Sequence, residues 1–572
     1  MKTKIIKDAV HGYIQVEEPY WKIIDTAEFQ RLKWVEQTSF RVLYPSARHD
    51  RFIHSIGTYH LGQKAFEGFY NNCLSNDVTQ TSLKKYQLIL QQNKESFLLA
   101  CLLHDIGHAP FSHTCEDLFN YQAKSLGELT LDEELIAQIL ANNSLDLSVK
   151  NAFKQDYTTI ITKADKDKKG PSQHEKMSSI VIIKNFETFT KIFTDSTYKK
   201  PNLDLIIRSI LGCCYTVNPA DSTDIKTERG IKNCLIRLLN SSTVDVDKLD
   251  YITRDTLMSG YENVVLDIDR LLSSLSVIVD KDNVYRPAFK KVALSVIDNV
   301  INAKNAQAKW IVNHPVVLYE YYLLRKAVGI SLKSIFTQKK YAHITFDAFL
   351  NKVFSSKSLS VKQNDIGKGL SFSLLSDIDL LFYMKNVINN EPDVAEYFKR
   401  DERKSPIWKS HEEYVHWLGT QKGVACEVAG AFKPLINHLN EMEDLCSTKK
   451  IDKKLYDEIK LTHPSIKDGF EILQLLDELQ EFCNKHHKTF DFVLLPAENK
   501  FYAKIDKEKT FIRFKGEKDY NTYDELRKEE PQDNDNTYPY KFFYLYSKDK
   551  VDTKTFLEFI LNKVHQRTTV NY

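Results

Sequence analysis

The stretch Ser96-Phe-Leu-Leu-Ala-Cys-Leu-Leu-His104-Asp105-Ile-Gly-His108-Ala-Pro-Phe-Ser-His113 decides the fold, because a nearly all-apolar run ends in a cluster of histidines. The run could be a buried strand, but the flanking polar residues and helix formers favour a helix buried on most sides. A buried aspartate such as Asp105 is costly unless it is paired or bound to a metal. His108 follows His104 by one helical turn and shares its side. The stretch therefore predicts a polar site at the end of a core helix.

Three further segments carry residues of the same chemistry: Arg51-Phe-Ile-His54, His174-Glu175 and Asp247-Lys-Leu-Asp-Tyr-Ile-Thr-Arg-Asp255. Taken singly, a His-Asp pair is most often a surface hydrogen bond or a helix cap, and a lone histidine is most often structural. Taken together, two imidazoles and two carboxylates form a nitrogen and oxygen ligand set that suits Mn, Fe, Co, Ni or Mg better than a sulfur-rich zinc site. Four protein ligands on an octahedral ion leave two positions for water and a phosphate oxygen. The joint pattern predicts a divalent metal site.

Helical patterning dominates the first 485 residues and predicts a mainly α protein. Between residues 120 and 172 the pattern loosens, and it ends in the mixed-charge segment 163–172, which is typical of a solvated loop. Helical patterning then resumes. A late amphipathic helix is indicated by the spacing of Ile472, Leu475, Leu476, Leu479 and Phe482.

Beyond residue 488, short β-branched or aromatic runs predict strands. These runs are residues 490–495, 501–505, 510–514 and 542–546, and residues 528–537 predict a loop. A final helix is predicted to begin after Asp552 as its N-cap, with one apolar face formed by Phe556, Phe559, Ile560 and Val564. The sequence therefore predicts a catalytic core over residues 1–330 with an insertion at about 120–172, a helical extension over 331–487 and a small α+β lobe over 488–572.

The composition indicates a folded protein without strong electrostatic bias. Of the 572 residues 42% are hydrophobic, and 79 lysine and arginine residues against 77 aspartate and glutamate residues give a formal net charge of +2. This charge balance does not indicate nucleic-acid binding, although it leaves room for a local basic patch that could bind nucleic acid. Nine scattered cysteines without a Cys-x-x-Cys pair suit a reducing compartment. Without a signal-peptide core or an apolar run of about 20 residues, we expect a cytoplasmic protein with no membrane span.

These segments resemble the HD superfamily, and within it the deoxynucleoside triphosphate triphosphohydrolases (dNTPases), in the branch of the SAM-and-HD-domain dNTPases and the bacterial dGTPases. The likeness begins at residues 7–12, Lys-Asp-Ala-Val-His-Gly, and 24–32, Ile-Asp-Thr-Ala-Glu-Phe-Gln-Arg-Leu. It runs through the segments quoted above and fades after about residue 330, with a weaker echo at residues 544–551. The resemblance implies an HD-domain helical core that holds a divalent metal ion.

The resemblance also implies a role for each matching residue. The matching metal ligands are His54, His104, Asp105 and Asp247. The matching catalytic residues are His108, His113 and His174, with Glu116 where the family has an aspartate. The matching substrate contacts are Arg51 and Lys248 for the triphosphate and Gln37, Tyr251 and Asp255 for the sugar. One of the histidines is implied to protonate the departing 5′ oxygen.

Near the N-terminus, Lys4 and Asp25 fall on positions that resemble the family's activator-nucleotide site, which lies between subunits. The resemblance therefore implies a nucleotide activator and a homo-oligomer, either a dimer or a tetramer. Taken alone, Lys4 is nearly as well explained as a solvated charge and Asp25 as the cap of a helix. A neighbouring position that is usually arginine in the family is Lys33, which keeps the charge but loses the planar fork.

The later motif Val312-Asn-His-Pro315 departs from the family. The tyrosine that abuts the deoxyribose appears as Val312, a phosphate-binding lysine appears as Pro315, and an upstream arginine falls near Lys304. These departures concern selectivity for deoxy sugars and for the triphosphate.

The leading prediction is hydrolysis of a deoxynucleoside triphosphate (dNTP) to a deoxynucleoside and triphosphate. One alternative is another phosphohydrolase on the same scaffold, acting on a nucleoside monophosphate, a cyclic nucleotide or a nucleic-acid end. A second alternative is a nucleotide-sensing protein that binds without turnover. Arg51 and Lys248 favour a triphosphate, whereas the missing lysine at Pro315 weakens that preference. Control of the dNTP pool, including starvation of an invading phage, is the biology that the resemblance implies.

Overall fold

The computed structural model divides into two units. The first comprises Met1–Lys304, Lys339–Leu380 and Ala503–Gln532, and the second comprises Asn305–Gln338, Leu381–Tyr502 and Asp533–Tyr572. The residues that the structure describes are 2–72, 80–121, 123–164, 170–261, 265–341, 343–419, 423–441, 449–462, 467–497, 505–514, 520–527 and 540–570. The chain is mainly α-helical, which confirms the predicted fold class. In this described part, no helix combines the length and the apolar character that crossing a bilayer requires.

The first unit is built around long helices. Its α-helices are Glu18–Ile24, Ala27–Gln30, Arg51–Asn72, Gln80–Leu103, Leu131–Ala141, Leu147–Ala164, Gln173–Thr190, Leu203–Leu211, Thr223–Leu239, Val246–Ser259, Ile268–Ser273, Phe346–Val353 and Tyr523–Arg527. Leu294–Gln307 and Asp377–Val387 have residues in both units. Short 3-10 turns at Arg31–Trp34, Phe40–Val42, Ser112–Thr114, Glu116–Asn120 and Ala123–Leu126 connect several of them.

The apolar run that decides the fold forms the end of the helix Gln80–Leu103, as predicted. Every side chain from Phe97 to Leu103 is completely buried. Burying a leucine or phenylalanine side chain stabilises a fold by about 1.5–3 kcal/mol, so this turn-by-turn burial anchors the helix end firmly. The residues that follow, His104 and Asp105, are therefore held at a fixed place beside the core.

Strands are few and short, and they form small sheets. In the first unit, Thr3–Asp8 pairs antiparallel with Gly12–Glu17, and Asn364–Gly367 pairs with Leu370–Phe372. A four-stranded sheet has the order Tyr520–Thr522, Phe511–Arg513, Tyr285–Lys290, Leu275–Val279. Its central contact is parallel, with Phe511 opposite Ala288. A strand from the C-terminal part of the chain thus completes a sheet that the first 300 residues begin.

The second unit packs helices against one four-stranded sheet. Its helices are Pro315–Gln338, Pro392–Phe398, His411–Leu418, Val424–Glu441, Lys453–Thr462, Lys467–His486 and Thr553–Val570. The strand order is Ser405–Pro406, Phe543–Ser547, Asp491–Pro496, Lys450–Asp452. Trp408, Phe432, Leu479 and Phe556 are among its fully buried residues. Asp552 caps the last helix by accepting a hydrogen bond of 2.9 Å from the backbone N–H of Thr555, as predicted.

The boundaries of the two units differ from those of the three predicted segments. The division into three segments stays a prediction. The physical reason for the difference is pairing: Phe511–Arg513 joins Tyr285–Lys290, whereas Asp491–Pro496 and Phe543–Ser547 pair with each other. Alternation and propensity predicted strands at 490–495, 510–514 and 542–546 correctly, but partners are not encoded in either signal. Most of the strand predicted at 501–505, the loop at 528–537 and the middle of the segment 163–172 lie outside the described residues.

Candidate active site

Four side chains converge at the end of the core helix. His54 lies in the first turn of Arg51–Asn72, His104 and Asp105 directly follow Gln80–Leu103, and Asp247 lies in the first turn of Val246–Ser259. His54 Nε2 lies 3.2 Å from His104 Nε2, 3.1 Å from Asp247 Oδ1 and 3.5 Å from Asp105 Oδ2. Adjacent ligands of an octahedral ion with bonds of about 2.1 Å stand about 3 Å apart. These separations fit four ligands of one divalent cation.

The outer nitrogens of the two imidazoles decide which atoms face each other. His104 Nδ1 lies 2.9 Å from the carbonyl oxygen of Cys101, which can only accept, so Nδ1 donates. His54 Nδ1 donates to Asp250 Oδ2 at 2.7 Å. In neutral imidazoles both Nε2 atoms then present lone pairs to each other, which is unfavourable unless positive charge lies between them. An outer N–H held by a carboxylate or carbonyl is the usual arrangement of histidine ligands in metal sites.

The pKa of His54 also indicates a site that favours positive charge. Burial disfavours the charged imidazole, but hydrogen bonds to Asp247 and Asp250 outweigh it and raise the pKa of His54 to about 10. The cluster therefore attracts a positive charge. Asp105 and the two histidines are almost fully buried, whereas the side chain of Asp247 is 36% exposed, so the cluster opens to solvent at Asp247.

A buried ion-pair network holds the ligand His54 from behind. Asp250 accepts hydrogen bonds from His54, from His11 Nε2 at 2.6 Å and from Arg254 Nε at 2.8 Å. Arg254 Nη1 also donates to Asp8 at 2.8 Å. The residues behind His54 lie in the segments that resemble the family, but no role was predicted for them. The signal was present in the spacing, because Asp247, Asp250 and Arg254 fall on one face of a helix.

The network demands a close approach of two helices. A Cβ added at Gly57 would lie 2.0 Å from Asp250 Oδ1 and 2.4 Å from Arg254 Nη2. Real Cβ atoms do not come so close, so the absence of a side chain at Gly57 lets Arg51–Asn72 pack against Val246–Ser259. This contact brings His54 and Asp247 together.

The two predicted phosphate contacts, Arg51 and Lys248, have different surroundings. Arg51 is buried at the ligand cluster, where its Nη1 donates to Asp105 Oδ2 at 2.8 Å and its Nε donates to Ser112 Oγ at 2.9 Å. The Lys248 ammonium instead donates to Asp245 and to the carbonyl oxygen of Ser241. Burial lowers the pKa of Lys248, but the charge of Asp245 outweighs it and raises this pKa. The charge of Lys248 is therefore largely neutralised by its neighbour.

The predicted sugar contacts Gln37 and Asp255 are linked through His49. His49 Nε2 donates to Asp255 Oδ1 at 2.8 Å, and the carbonyl oxygen of His49 accepts from the backbone N–H of Gln37 at 3.1 Å. The side-chain Oε1 of Gln37 is buried and has no hydrogen-bond partner among the described residues. Tyr251 lies under the Lys304 ammonium, 5.6 Å from its ring centroid.

The three predicted catalytic histidines lie together. The rings of His108 and His174 stack with centroids 4.1 Å apart, and His113 lies 5.1 Å from His108 and 5.3 Å from His174. Glu116 binds two of them: its Oε2 accepts from His113 Nδ1 at 2.7 Å and its Oε1 accepts from His174 Nδ1 at 2.9 Å. The longer side chain of Glu116 thus still reaches both rings.

The cluster separates one charged histidine from one neutral histidine. Burial lowers the pKa of His174, but the charge of Glu116 outweighs it and raises this pKa to about 9. Burial and the nearby charge of Arg51 hold the pKa of His108 well below its usual value. The three rings are close enough to hold a cation. A protonated His174 beside Glu116 suits proton donation better.

Two consecutive residues of the connecting loop have left-handed backbone conformations. Phe111 has φ 56° and Ser112 has φ 51°. Such conformations cost about 1–3 kcal/mol each outside glycine and persist where the surroundings hold them. Ser112 Oγ accepts from Arg51 and donates to the carbonyl oxygen of Glu36, so this turn is tied to the ligand cluster.

The predicted activator residues Lys4 and Asp25 form an exposed ion pair of 2.8 Å, and the Lys4 ammonium lies 3.9 Å from the ring centroid of Trp21. Both side chains are about half exposed. Lys33 donates to Gln30 Oε1 at 2.7 Å. Val312 and Pro315, which differ from the family's residues at these positions, belong to the second unit.

Comparison with known proteins identifies an HD domain at residues 51–179, which begins at Arg51 and contains all five predicted metal and catalytic histidines and Asp105. An HD domain-containing protein, L394, of Acanthamoeba polyphaga mimivirus is 24% identical over 513 residues, 89% of this chain and 87% of that protein. The chain therefore carries an HD domain, a kind of domain that binds divalent metals.

Two relatives are named as triphosphohydrolases. The Dictyostelium discoideum deoxynucleoside triphosphate triphosphohydrolase SAMHD1 homolog is 26% identical over 49% of this chain and 41% of that protein. The Gallus gallus deoxynucleoside triphosphate triphosphohydrolase SAMHD1 is 32% identical over 25% of this chain and 22% of that protein. The chain spans less than half the length of both. The predicted resemblance to the HD-domain dNTPase branch is confirmed at this modest identity.

A solved structure of a hypothetical protein from Aquifex aeolicus aligns over 98% of this chain and 100% of that chain, with 16% identity and a TM-score of 0.48.

Proposed function

We propose that the protein is a metal-dependent phosphohydrolase that cleaves a dNTP into a deoxynucleoside and triphosphate. The observation that carries this proposal is the convergence of His54, His104, Asp105 and Asp247 beside a Glu116–His174 pair. His108 links the two groups, since its Nε2 lies 3.5 Å from Asp105 Oδ1 and its ring stacks on that of His174. The first group fits a divalent cation and the second fits a proton donor. Hydrolysis of a 5′ phosphate ester uses both, because attack is favoured by a polarised phosphoryl group and the departing 5′ alkoxide, a poor leaving group, requires a proton.

The residues divide the work as follows. A divalent cation on the four ligands would polarise the phosphoryl group and activate the attacking water. Arg51, buried at the ligands, provides a fixed positive charge for phosphate oxygens. His174, charged by its pairing with Glu116, gives its proton to the departing 5′ oxygen. The water oxygen joins the α-phosphorus, the bond from this phosphorus to the 5′ oxygen breaks, and triphosphate leaves intact.

Two observations support a deoxynucleoside triphosphate as the substrate. The relatives from Dictyostelium discoideum and Gallus gallus are named for this activity. The buried Gln37 Oε1 and the Asp255 carboxylate are acceptors near the same residue, since His49 contacts the Gln37 backbone and the Asp255 carboxylate, and acceptors of this kind bind a sugar hydroxyl.

The test is product analysis by chromatography with each of the four dNTPs and the four NTPs in Mn²⁺ or Mg²⁺. We expect deoxynucleoside and intact triphosphate, with weaker turnover of the ribonucleotides. The Asp105→Asn variant, purified in parallel, is the control for contaminating phosphatases. Release of pyrophosphate and a monophosphate would contradict the proposed bond cleavage.

A second candidate, a phosphohydrolase for a monophosphate, a cyclic nucleotide or a nucleic-acid end, is favoured by one observation. The charge of Lys248 is neutralised by Asp245, which leaves less positive charge for a triphosphate. The same assay with these substrates decides between the two. Higher kcat/KM on a monophosphate ester than on any dNTP selects the second candidate.

We also propose that the chain is a homo-oligomer activated by a nucleotide at Lys4 and Asp25. The Lys4 ammonium can meet a phosphate, and the Asp25 carboxylate can accept hydrogen bonds from a guanine edge. A nucleotide that binds only the assembled state must shift the population toward assembly. Their exposed pairing leaves both side chains accessible.

Light scattering and dNTP hydrolysis, each with and without GTP, test the activator. We expect both the mass and the rate to rise with GTP in the parent and to be indifferent to GTP in Asp25→Ala. Glu18→Ala is a matched control, because Glu18 also forms an exposed ion pair, with Lys22. A parent whose mass and rate ignore GTP or a second dNTP has no such site.

A further inference from the structure

The backbone between the proposed ligand Asp105 and the proposed catalytic His113 is held by buried side chains from distant parts of the chain. Arg31 is 2% exposed, and its guanidinium donates to the carbonyl oxygens of Ile106 and His108, both at 2.9 Å. The same guanidinium donates to the carbonyl oxygen of Leu375 at 2.8 Å. Arg31 therefore ties this loop to Leu375, more than 260 residues further along the chain.

Two residues after Leu375, a buried carboxylate makes the complementary contacts. Asp377 is 4% exposed, and its Oδ1 accepts from the backbone N–H of Phe111 at 2.6 Å. Its Oδ2 accepts from the backbone N–H of Glu36 at 2.8 Å. Each oxygen of the carboxylate thus accepts from a different backbone segment, and both segments lead to the proposed active site.

The two contacts enclose the left-handed turn. Phe111 and Ser112 have positive φ, and Ser112 Oγ donates to the carbonyl oxygen of Glu36 and accepts from Arg51 Nε. Asp377 accepts from the backbone N–H of Phe111, the first left-handed residue, and from the backbone N–H of Glu36. The carbonyl oxygen of Glu36 accepts in turn from Ser112, the second left-handed residue. His113 follows this turn directly. The position of the carboxylate therefore affects both the backbone that leads into His113 and the position of Ser112, which contacts Arg51.

We propose that Asp377 is a positioning residue for the proposed reaction, which sets the turn at Phe111 and Ser112 and thereby aims His113 and Arg51 at the substrate. The proposal rests on the proposed phosphohydrolase function. It gives the segment Lys339–Leu380 a part in the active site, although no side chain of that segment is among the predicted ligands or catalytic residues.

Two accepting oxygens are what the geometry requires. Asparagine keeps one oxygen but presents an N–H group in place of the other, which would face a backbone N–H donor. Asp377→Asn therefore conserves size and loses one of the two contacts. Asp379→Asn is the matched control, because Asp379 also accepts two hydrogen bonds in the same turn, but both come from Ser376.

The experiment compares the parent, Asp377→Asn and Asp379→Asn in melting temperature, bound metal, kcat and KM. We expect both variants to keep one bound metal ion per chain. Asp377→Asn should lose about 10- to 100-fold in kcat with a smaller change in KM, since a misplacement of about 1 Å can cost about 100-fold. Asp379→Asn should keep the parent's kcat. Asp377→Glu, which retains both oxygens, should recover part of the loss.

A second readout separates this proposal from the proposed function. Amide hydrogen exchange in peptides covering residues 34–38 and 106–113 should accelerate in Asp377→Asn and not in Asp379→Asn, whatever the substrate is. If the parent hydrolyses no phosphate ester, the proposed function fails while exchange still tests the contacts. Parent-like kcat and parent-like exchange in Asp377→Asn overturn the proposal, as does an equal loss of kcat in both variants.

Discussion

Replacing His104 by alanine and Asp105 by asparagine is expected to remove the bound metal and to lower kcat by about 1000-fold or more. The reason is that the two side chains supply half of the proposed ligand set, and a metal contributes several kcal/mol to this kind of chemistry. Asparagine is chosen at 105 because Arg51 Nη1 donates to this side chain, and an unpaired buried arginine would destabilise the fold. Metal analysis and circular dichroism measure the two outcomes.

A graded control comes from Asp250, which contacts His54 but is not a proposed ligand. Asp250→Asn should leave all four ligands in place and weaken metal affinity by about 10- to 100-fold, the usual effect of removing a carboxylate behind a histidine ligand. Stoichiometric metal in the His104 and Asp105 double variant, at the parent's affinity, would show that these residues do not hold the ion.

Changing Glu116 to glutamine is expected to move the alkaline limb of the kcat profile toward neutral pH. A general acid works only while protonated, so kcat falls as the pH rises through its pKa. In the parent the pKa of His174 is raised to about 9 by the Glu116 charge, which places the limb near pH 9. Glutamine removes that charge, so the limb should shift down. Rate measurements between pH 6 and pH 10 check the shift.

His174→Ala should lower kcat by about 10²–10⁴-fold, with little loss of substrate binding, because a general acid acts in the transition state. A 4-nitrophenyl phosphodiester provides a chemical control, since nitrophenolate departs without a proton. The His174→Ala variant should lose far less rate on that substrate. Equal losses on both substrates, or an unmoved alkaline limb in Glu116→Gln, would rule out proton donation by this pair.

The sequence predicted the core of the fold and the composition of the candidate site because both have local signals. The run that ends at His104 is apolar on every side, and it forms a helix whose last turns are fully buried. The ligand types are rare in apolar surroundings, so their spacing stands out. The structure brings His54, His104, Asp105 and Asp247 within a few ångströms of one another, and it also groups His108, His113 and His174.

What the sequence could not predict depends on contacts between distant residues. Nothing in the sequence singles out Asp377, and only the fold shows that its oxygens accept from Glu36 and Phe111. Lys248 reads as a phosphate ligand, and only the fold shows that Asp245 neutralises it. A positive φ at Phe111 has no propensity signal either, because a bulky side chain seldom adopts it.

The parallel pairing of Phe511–Arg513 with Tyr285–Lys290 has a consequence for biosynthesis. Phe511 lies 223 residues after its partner Ala288, since 511 − 288 = 223. At about 5–20 residues per second, a ribosome needs about 10–45 s to deliver the missing strand after its partner has been made. During that interval the edge of Tyr285–Lys290 has unpaired backbone groups, which can pair with another chain. The nascent first unit therefore exposes an unpaired strand edge until Phe511–Arg513 has been made.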